Sequence, residues 1–257
     1  EFVCIVGPSG CGKTTLMNII GGLVSADEQS ITLNKEELSE KNNLGYVFQT
    51  SRLLPWLTLK ENVKLVCKED SEEINQKIAS FLKNFDLKDF INAYPNSISG
   101  GMRRKVALVR AFINNPDILL MDEPFISLDQ PTAENLYKTL IDHWEKNPTT
   151  IVLITHNLKE ALLLGDRILF FSKRPGTVFY DYKVKSSRSS IKIDNEEITE
   201  EYNQLKKKYP TILKGLLWEY FRMEKNMDII SNYIDKGGII FFILVIISFL
   251  ALTIILY

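Results

Sequence analysis

The 257-residue chain has little that suits metal or disulfide chemistry: three cysteines, Cys4, Cys11 and Cys67, and two histidines, His143 and His156. The cysteines are odd in number and lack metal-type spacing. That excludes a disulfide scaffold or zinc module and fits a reducing compartment. A surplus of either charge is also missing. The 31 Lys and Arg nearly balance the 32 Asp and Glu, for a net charge of -1. No overall basic field points to nucleic acid. No internal repeat and no signal-peptide pattern can be read, and there is no initiator Met. The chain opens at Glu1 inside the apolar run Phe2-Val3-Cys4-Ile5-Val6, so a truncated N-terminus is expected.

What is present is ordinary for a globular protein: 45% hydrophobic and 25% charged residues, enough chain for one domain and an appendage. The appendage is at the C-terminal end. Residues 239–257 carry no charge. As a helix they would reach roughly 28 Å, close to the hydrocarbon thickness of a bilayer. Arg222, Lys225 and Lys236 precede this run and favour a cytoplasmic N-terminal side. A transmembrane helix is therefore expected at about 239–257, after a polar linker and helical extension over 183–226. The other reading is a buried core helix, which would normally be shorter and keep a polar stripe.

Strands and helices alternate along the rest of the chain. Phe2–Val6, Ile118–Met121 and Ile151–Ile154 read as buried strands, with a helical stretch at about 132–146 between the last two. Short strands are expected over 30–48. A mostly helical region is expected over 58–92, where Ile74, Ile78, Phe81 and Leu82 recur at helical spacing. This alternation predicts an α/β fold around a mainly parallel sheet.

Gly7-Pro8-Ser9-Gly10-Cys11-Gly12-Lys13-Thr14 fits the phosphate-loop pattern G-x-x-x-x-G-K-[ST] and continues into Thr15. A strand precedes it and a helical stretch follows, the context such a loop requires. Small residues let successive backbone N–H groups converge on phosphate oxygens at a helix N-terminus. Lys13 is expected to reach the β- and γ-phosphates, and the Thr14 hydroxyl to ligate Mg²⁺. Ile118 to Met121 ends in Asp122-Glu123. Adjacent residues on a strand point to opposite sides, so the two acids can divide their work. Asp122 would hold the Mg²⁺ shell, and Glu123 would orient or deprotonate an attacking water. Acids that end strands also serve as caps and turn formers.

Ser99-Gly100-Gly101 precedes a helical stretch running to about Ile113. It reads either as a second anion-binding helix end or as a plain N-cap with Ser99 as the cap. One nucleotide does not need two such sites in one chain, but a head-to-tail dimer does. His156 follows a strand and would sit at the ligand-binding edge of the sheet, within reach of the γ-phosphate and water. His143 lies within a helix and reads as structural. Gln49 also follows a strand, and its amide could touch Mg²⁺ or water. After it come Leu53, Leu54, Trp56 and Leu57, either core or a docking patch for a partner helix.

The order phosphate loop, Gln49, Ser99-Gly100-Gly101-Met102, Asp122-Glu123-Pro124, Ser127-Leu128-Asp129, His156 resembles the ABC transporter ATPases over most of residues 1–180. The resemblance implies a P-loop NTPase (RecA-like) core over about 1–182. It implies a helical subdomain over about 58–95 carrying the signature loop. It also implies a composite ATP and Mg²⁺ site in a dimer. In it Lys13, Thr14, Asp122, Glu123, Gln49 and His156 of one chain face Ser99, Gly101 and Asp129 of a second ATPase domain. A transmembrane permease would be the other partner, with a solute-binding protein a further one. Phe48-Gln49 through Thr58, Met121 through Phe125, Glu160 through Leu164, and Ser172-Lys173-Arg174-Pro175-Gly176 are similar to the importer ATPases for nitrate, taurine and alkanesulfonates. On that resemblance the chain drives uptake of a small, anionic solute at the cytoplasmic membrane. The family's adenine-stacking aromatic lies upstream of the phosphate loop, in a region that this sequence does not include, and Ser25–Glu40 lacks the family's usual glycines. Met227-Asp228-Ile229 onward resembles the start of TonB- and Tol-type proton-channel subunits over about thirty residues. The competing function classes are an ABC ATPase that transports nothing and a membrane-anchored, nucleotide-dependent regulator.

Overall fold

The computed structural model describes residues 1–26, 31–33, 36–37, 43–186, 192–209 and 212. Along the chain run β1 (Phe2–Val6), α1 (Lys13–Ile20), the short pair β2 (Thr32–Leu33) and β3 (Glu36–Glu37), β4 (Leu44–Val47), α2 (Leu59–Lys64), α3 (Glu72–Asn84), α4 (Gly100–Phe112), β5 (Ile118–Asp122), α5 (Gln130–Lys146), β6 (Thr150–Thr155), α6 (Leu158–Leu164), β7 (Arg167–Phe171), β8 (Val178–Lys183) and α7 (Glu196–Lys208).

Six of the strands form one sheet in the order β4-β5-β6-β1-β7-β8, parallel except where β8 returns antiparallel to β7. The parallel strands read as unbroken apolar runs because helices cover both of their faces. Every residue of β5 is buried. On one face, α1 sets Met17 against Ile5, Cys11, Ile118, Leu120, Ile154 and Phe171. Fully burying a side chain such as Met17 contributes ~1.5–3 kcal/mol. On the other face Cys4 meets Gly165 at the end of α6, where an added Cβ would lie 2.9 Å from the cysteine sulfur.

Strand register decides what the molecule can do. Val6 pairs with Thr155, and Asp122 pairs with Ile154. The C-terminal ends of β1, β5 and β6 therefore finish level, and the segments that leave them emerge along one edge of the sheet. Val47 pairs with Met121, which brings the residues after β4 to the same edge.

Helices α2 to α7 each start on a capping side chain. Thr58 and Glu61 form a reciprocal capping box on α2, and Ser71 caps α3. Ser99 caps α4 by accepting from the Met102 amide at 3.2 Å. Asp129 caps α5, Asn157 caps α6 and Asn195 caps α7.

Strands β7 and β8 and helix α6 are absent from the expectations above. The segment 183–226, expected as linker and extension, contains α7 in its described part. That helix buries Ile198, Glu201 and Leu205 and packs against α6. Glu201 accepts from the Tyr182 hydroxyl of β8 and from the Lys185 and Ser186 amides. Among the described residues no helix is long and apolar enough to cross a membrane. The expected transmembrane stretch 239–257 and the proton-channel-like segment from Met227 lie outside the described residues.

Candidate functional site

The phosphate loop joins β1 to α1 in a conformation that only its small residues allow. Gly10 and Gly12 have φ of 77° and 106°, in the left-handed region favoured by glycine. Gly12 is the N-cap of α1; no side chain caps that helix and its first turn carries no acid. The first N–H groups of α1 are thus left without side-chain partners, which suits an anion. Pro8, Ser9, Gly10, Gly12, Thr14 and Thr15 are open to solvent to varying degrees, whereas Gly7, Cys11 and Lys13 are buried. The Lys13 ammonium folds over the loop and donates to the carbonyls of Gly7 at 2.8 Å and Pro8 at 2.9 Å. The Cys11 sulfur is 3.8 Å away. From behind, Gly176 closes on the loop: an added Cβ there would lie 2.1 Å from the Cys11 carbonyl oxygen.

Asp122, 7% exposed at the end of β5, is hydrogen-bonded to the Thr14 side chain. Burial, with the charge of Glu123 adding, pushes its carboxyl above the usual range, against the opposing Thr14 bond and Lys13 charge. A buried carboxylate paired with a hydroxyl is a hard-oxygen donor set. It fits Mg²⁺, which takes one or two protein ligands and completes its shell with phosphate and water. Among the described residues no cluster of three or more His, Cys, Asp or Glu could hold a metal alone.

The two acids do not divide their work by strand pleat, as the sequence suggested. β5 ends at Asp122, and Glu123 lies beyond it with φ of 45°. This left-handed turn aims the Glu123 side chain, while its amide donates to the Ile154 carbonyl at 3.0 Å. Such a backbone is strained for a non-glycine residue and persists where its surroundings hold it. Glu123 Oε2 then lies 3.3 Å from His156 Nδ1, which leaves β6. Both line a cleft of about 380 Å³ with Tyr137, Thr155 and Glu160.

Lys13, Thr14, Asp122, Glu123 and His156 thus converge on one edge of the sheet. Gln49 is exposed, two residues past the end of β4 on that edge. Ser99, Gly100 and Gly101 occupy the start of α4. Among the described residues no hydrogen bond or ion pair joins them to the phosphate loop. Their neighbour is α5: an added Cβ on Gly101 would lie 2.6 Å from Thr132 Cγ2. Asp129 accepts from the Thr132 amide at 3.3 Å and its hydroxyl at 3.0 Å. Those bonds hold its exposed carboxyl below the usual range. Thr132 thus links Gly101 at the start of α4 to Asp129 at the cap of α5.

The loop after Gln49 is tied down by residues that sequence reasoning passed over. Arg104 donates to the Phe48 carbonyl at 3.2 Å, and Arg110 to those of Ser51 and Arg52 at 2.8 and 2.9 Å. Fully buried Asn62 accepts from the Leu54 amide at 2.7 Å. Its own amide group donates to the carbonyls of Leu54, Leu57 and Thr58. These ties present Trp56, 69% exposed, with Leu65, Val66, Phe90 and Tyr94 as further exposed apolar groups. Leu53, Leu54 and Leu57 are half-buried. His143 packs its ring among Phe81, Phe85 and Phe112, the last centroid 4.4 Å away, a structural placement.

Residues 1–126 match the family described as ABC transporter. A Bacillus cereus protein named as an aliphatic sulfonates import ATP-binding protein is 35% identical over 209 residues, covering 81% of each chain. A Pelagibacter ubique taurine import ATP-binding protein is 40% identical over 202 residues, covering 77% of this chain and 76% of its own. Among solved structures, the ATP-binding cassette MJ0796, described as a dimer in a post-hydrolysis state bound to ADP and Pi, is 35% identical. Its TM-score is 0.62, over 73% of this chain and 87% of that one.

Proposed function

The chain belongs to the ABC transporter family as an ATP-binding, ATP-hydrolysing subunit, and from that premise we propose that it drives uptake of a small anionic solute of the sulfonate or taurine class through a membrane permease. The observation that carries the catalytic part is the Glu123–His156 pair facing the edge that bears Lys13, Thr14 and Asp122. Lys13 and the Gly7–Thr15 loop hold the triphosphate, with Lys13 exchanging its carbonyl partners for phosphate oxygens. Thr14 and Asp122, with Gln49, hold Mg²⁺, which supplies charge neutralisation to the phosphates when bound. Glu123 orients and accepts a proton from the attacking water, and His156 aligns Glu123 and the γ-phosphate. Most of the rate then comes from positioning and charge stabilisation.

A second copy completes the site with its Ser99, Gly100, Gly101 and Asp129, a reading supported by the absence, among the described residues, of any hydrogen bond or ion pair from these residues to the phosphate loop of their own chain. The permease docks on the Trp56 patch, and a solute-binding protein delivers the solute outside. We divide the chain into an ATPase domain (1–182, helical subdomain about 58–95), a linker and extension (183–226), and a membrane-associated segment (227–257). This leaves the ATPase domain on the cytoplasmic side of the cytoplasmic membrane.

Glu123→Gln tests the catalytic assignment. The variant is expected to bind ATP as the wild type does and to lose turnover by ~100-fold or more. Turnover within tenfold of wild type would remove Glu123 as the principal catalytic group. Growth of the source cell on taurine or an alkanesulfonate as sole sulfur source, with and without this chain, tests the solute class. Equal growth would refute it.

A further inference from the structure

Glu160 is 5% exposed on α6, four residues after His156. Its Oε2 accepts from the Thr155 hydroxyl, and the Tyr137 hydroxyl of α5 reaches the same carboxyl. Its Oε1 is buried with no hydrogen-bond partner among the described residues. A buried carboxyl with an unmet oxygen is costly, and an apolar side chain there would avoid that cost. The position borders the cleft that holds Glu123 and His156.

The bonds around Glu160 close a ring. The Thr155 hydroxyl, bound to Glu160, accepts from the Asn157 amide at 3.0 Å. The Asn157 side chain accepts from the Lys159 amide at 3.1 Å and the Glu160 amide at 3.4 Å. His156 is the one residue between Thr155 and Asn157, so its backbone is clamped on both sides. On the far side Glu123 is anchored to Ile154, the residue before Thr155. The 3.3 Å approach of Glu123 to the imidazole is therefore set by a short path that runs through Glu160.

We propose that Glu160 is a positioning residue for ATP hydrolysis, fixing the Thr155–Asn157 turn so that the His156 imidazole meets Glu123. It touches no substrate and acts only through His156. This inference rests on the ATP-hydrolysing reading above.

The test is a double-mutant cycle on the full chain in its native transporter complex, measured as steady-state ATP turnover. Wild-type turnover is established first; its absence would sink the ATPase reading and this inference with it. Glu160→Ala is expected to lower kcat by ~10- to 100-fold and leave KM for ATP within ~2-fold, because the phosphate loop is untouched. Glu160→Gln, whose amide can still meet the Thr155 and Tyr137 hydroxyls, is expected to keep kcat within ~3-fold. In a His156→Ala background, Glu160→Ala should cost nothing more, since the two act on one path. A general structural role would lower kcat by the same factor in both backgrounds. That result overturns the proposal, as does Glu160→Ala turnover equal to wild type. Should Glu160→Ala fail to fold, Tyr137→Phe and Thr155→Val enter the same cycle with the same expectations.

Discussion

Replacing Asn62 with alanine removes the side chain that stitches the loop carrying Trp56. Asn62 accepts one hydrogen bond and offers two amide hydrogens to three carbonyls, so about three bonds are satisfied at once. At roughly 1 kcal/mol net each, their loss comes to ~3 kcal/mol, and more if the Leu54 amide stays buried and unmet. For a domain of this size ~1 kcal/mol moves the melting temperature by about 2–4 °C, so a drop of ~6–12 °C is expected. Thermal unfolding followed by circular dichroism reads it. Asn62→Asp keeps the acceptor but loses both donors and buries a charge, so it should be at least as damaging. ATP binding by the isolated variant should stay within about twofold, because the loop lies outside the phosphate site. Stimulation of turnover by the permease should fall, because Trp56 is no longer held in place. A melting temperature within ~2 °C of wild type would refute the reasoning. It would mean that Arg104 and Arg110 hold the loop without Asn62.

Gly101→Val should separate the starts of α4 and α5: its Cβ would meet Thr132 at 2.6 Å, and Thr132 is stiff and already bonded to Asp129. ATP-dependent dimerisation, measured by gel filtration in the Glu123→Gln background, should be lost; an unchanged dimer peak would contradict this. Asp122→Asn should stabilise the nucleotide-free protein near pH 8 while abolishing turnover. The folded-state carboxyl of Asp122 is raised, so ionising it opposes folding. That penalty is absent below the unfolded value of about 3.8 and complete once the pH exceeds the raised one. The gap between variant and wild type in chemical denaturation should therefore close as the pH falls toward about 4, and a gap that widens would reverse the assignment.

The phosphate loop, both acids, the histidine and the α/β class could be read from the sequence because each depends on local pattern. A buried run ending in Asp122-Glu123 announces a strand and its terminal acids whatever surrounds it. Residues whose importance comes from distant partners could not be read this way. Asn62 stands in a helix like any surface asparagine, and only the fold shows that it faces the carbonyls of residues 54, 57 and 58. Glu160 looks like one more helical glutamate until α5 brings Tyr137 against it. Strand β8 was missed because it closes the sheet as an antiparallel edge with only part-buried or exposed residues, whereas β7 is the apolar run Ile168 to Phe171 between β1 and β8 and was legible but passed over. For Glu123 the sequence suggested pleat alternation, whereas the residue lies beyond β5 in a left-handed backbone turn that no local pattern announces.

The level finish of β1, β5 and β6 has a genetic corollary. A strand advances about 3.3 Å per residue and alternates faces, so deleting one codon anywhere in β6 would draw His156 back by that distance and invert the packing of its remainder. The same event between α2 and α3, where Lys68, Glu69 and Asp70 are exposed, only shortens a surface connection. Length variation among descendants of this gene should therefore gather in such connections. Strands β1, β5 and β6 should keep a fixed count, and a deep mutational library of single-codon deletions would record that boundary residue by residue.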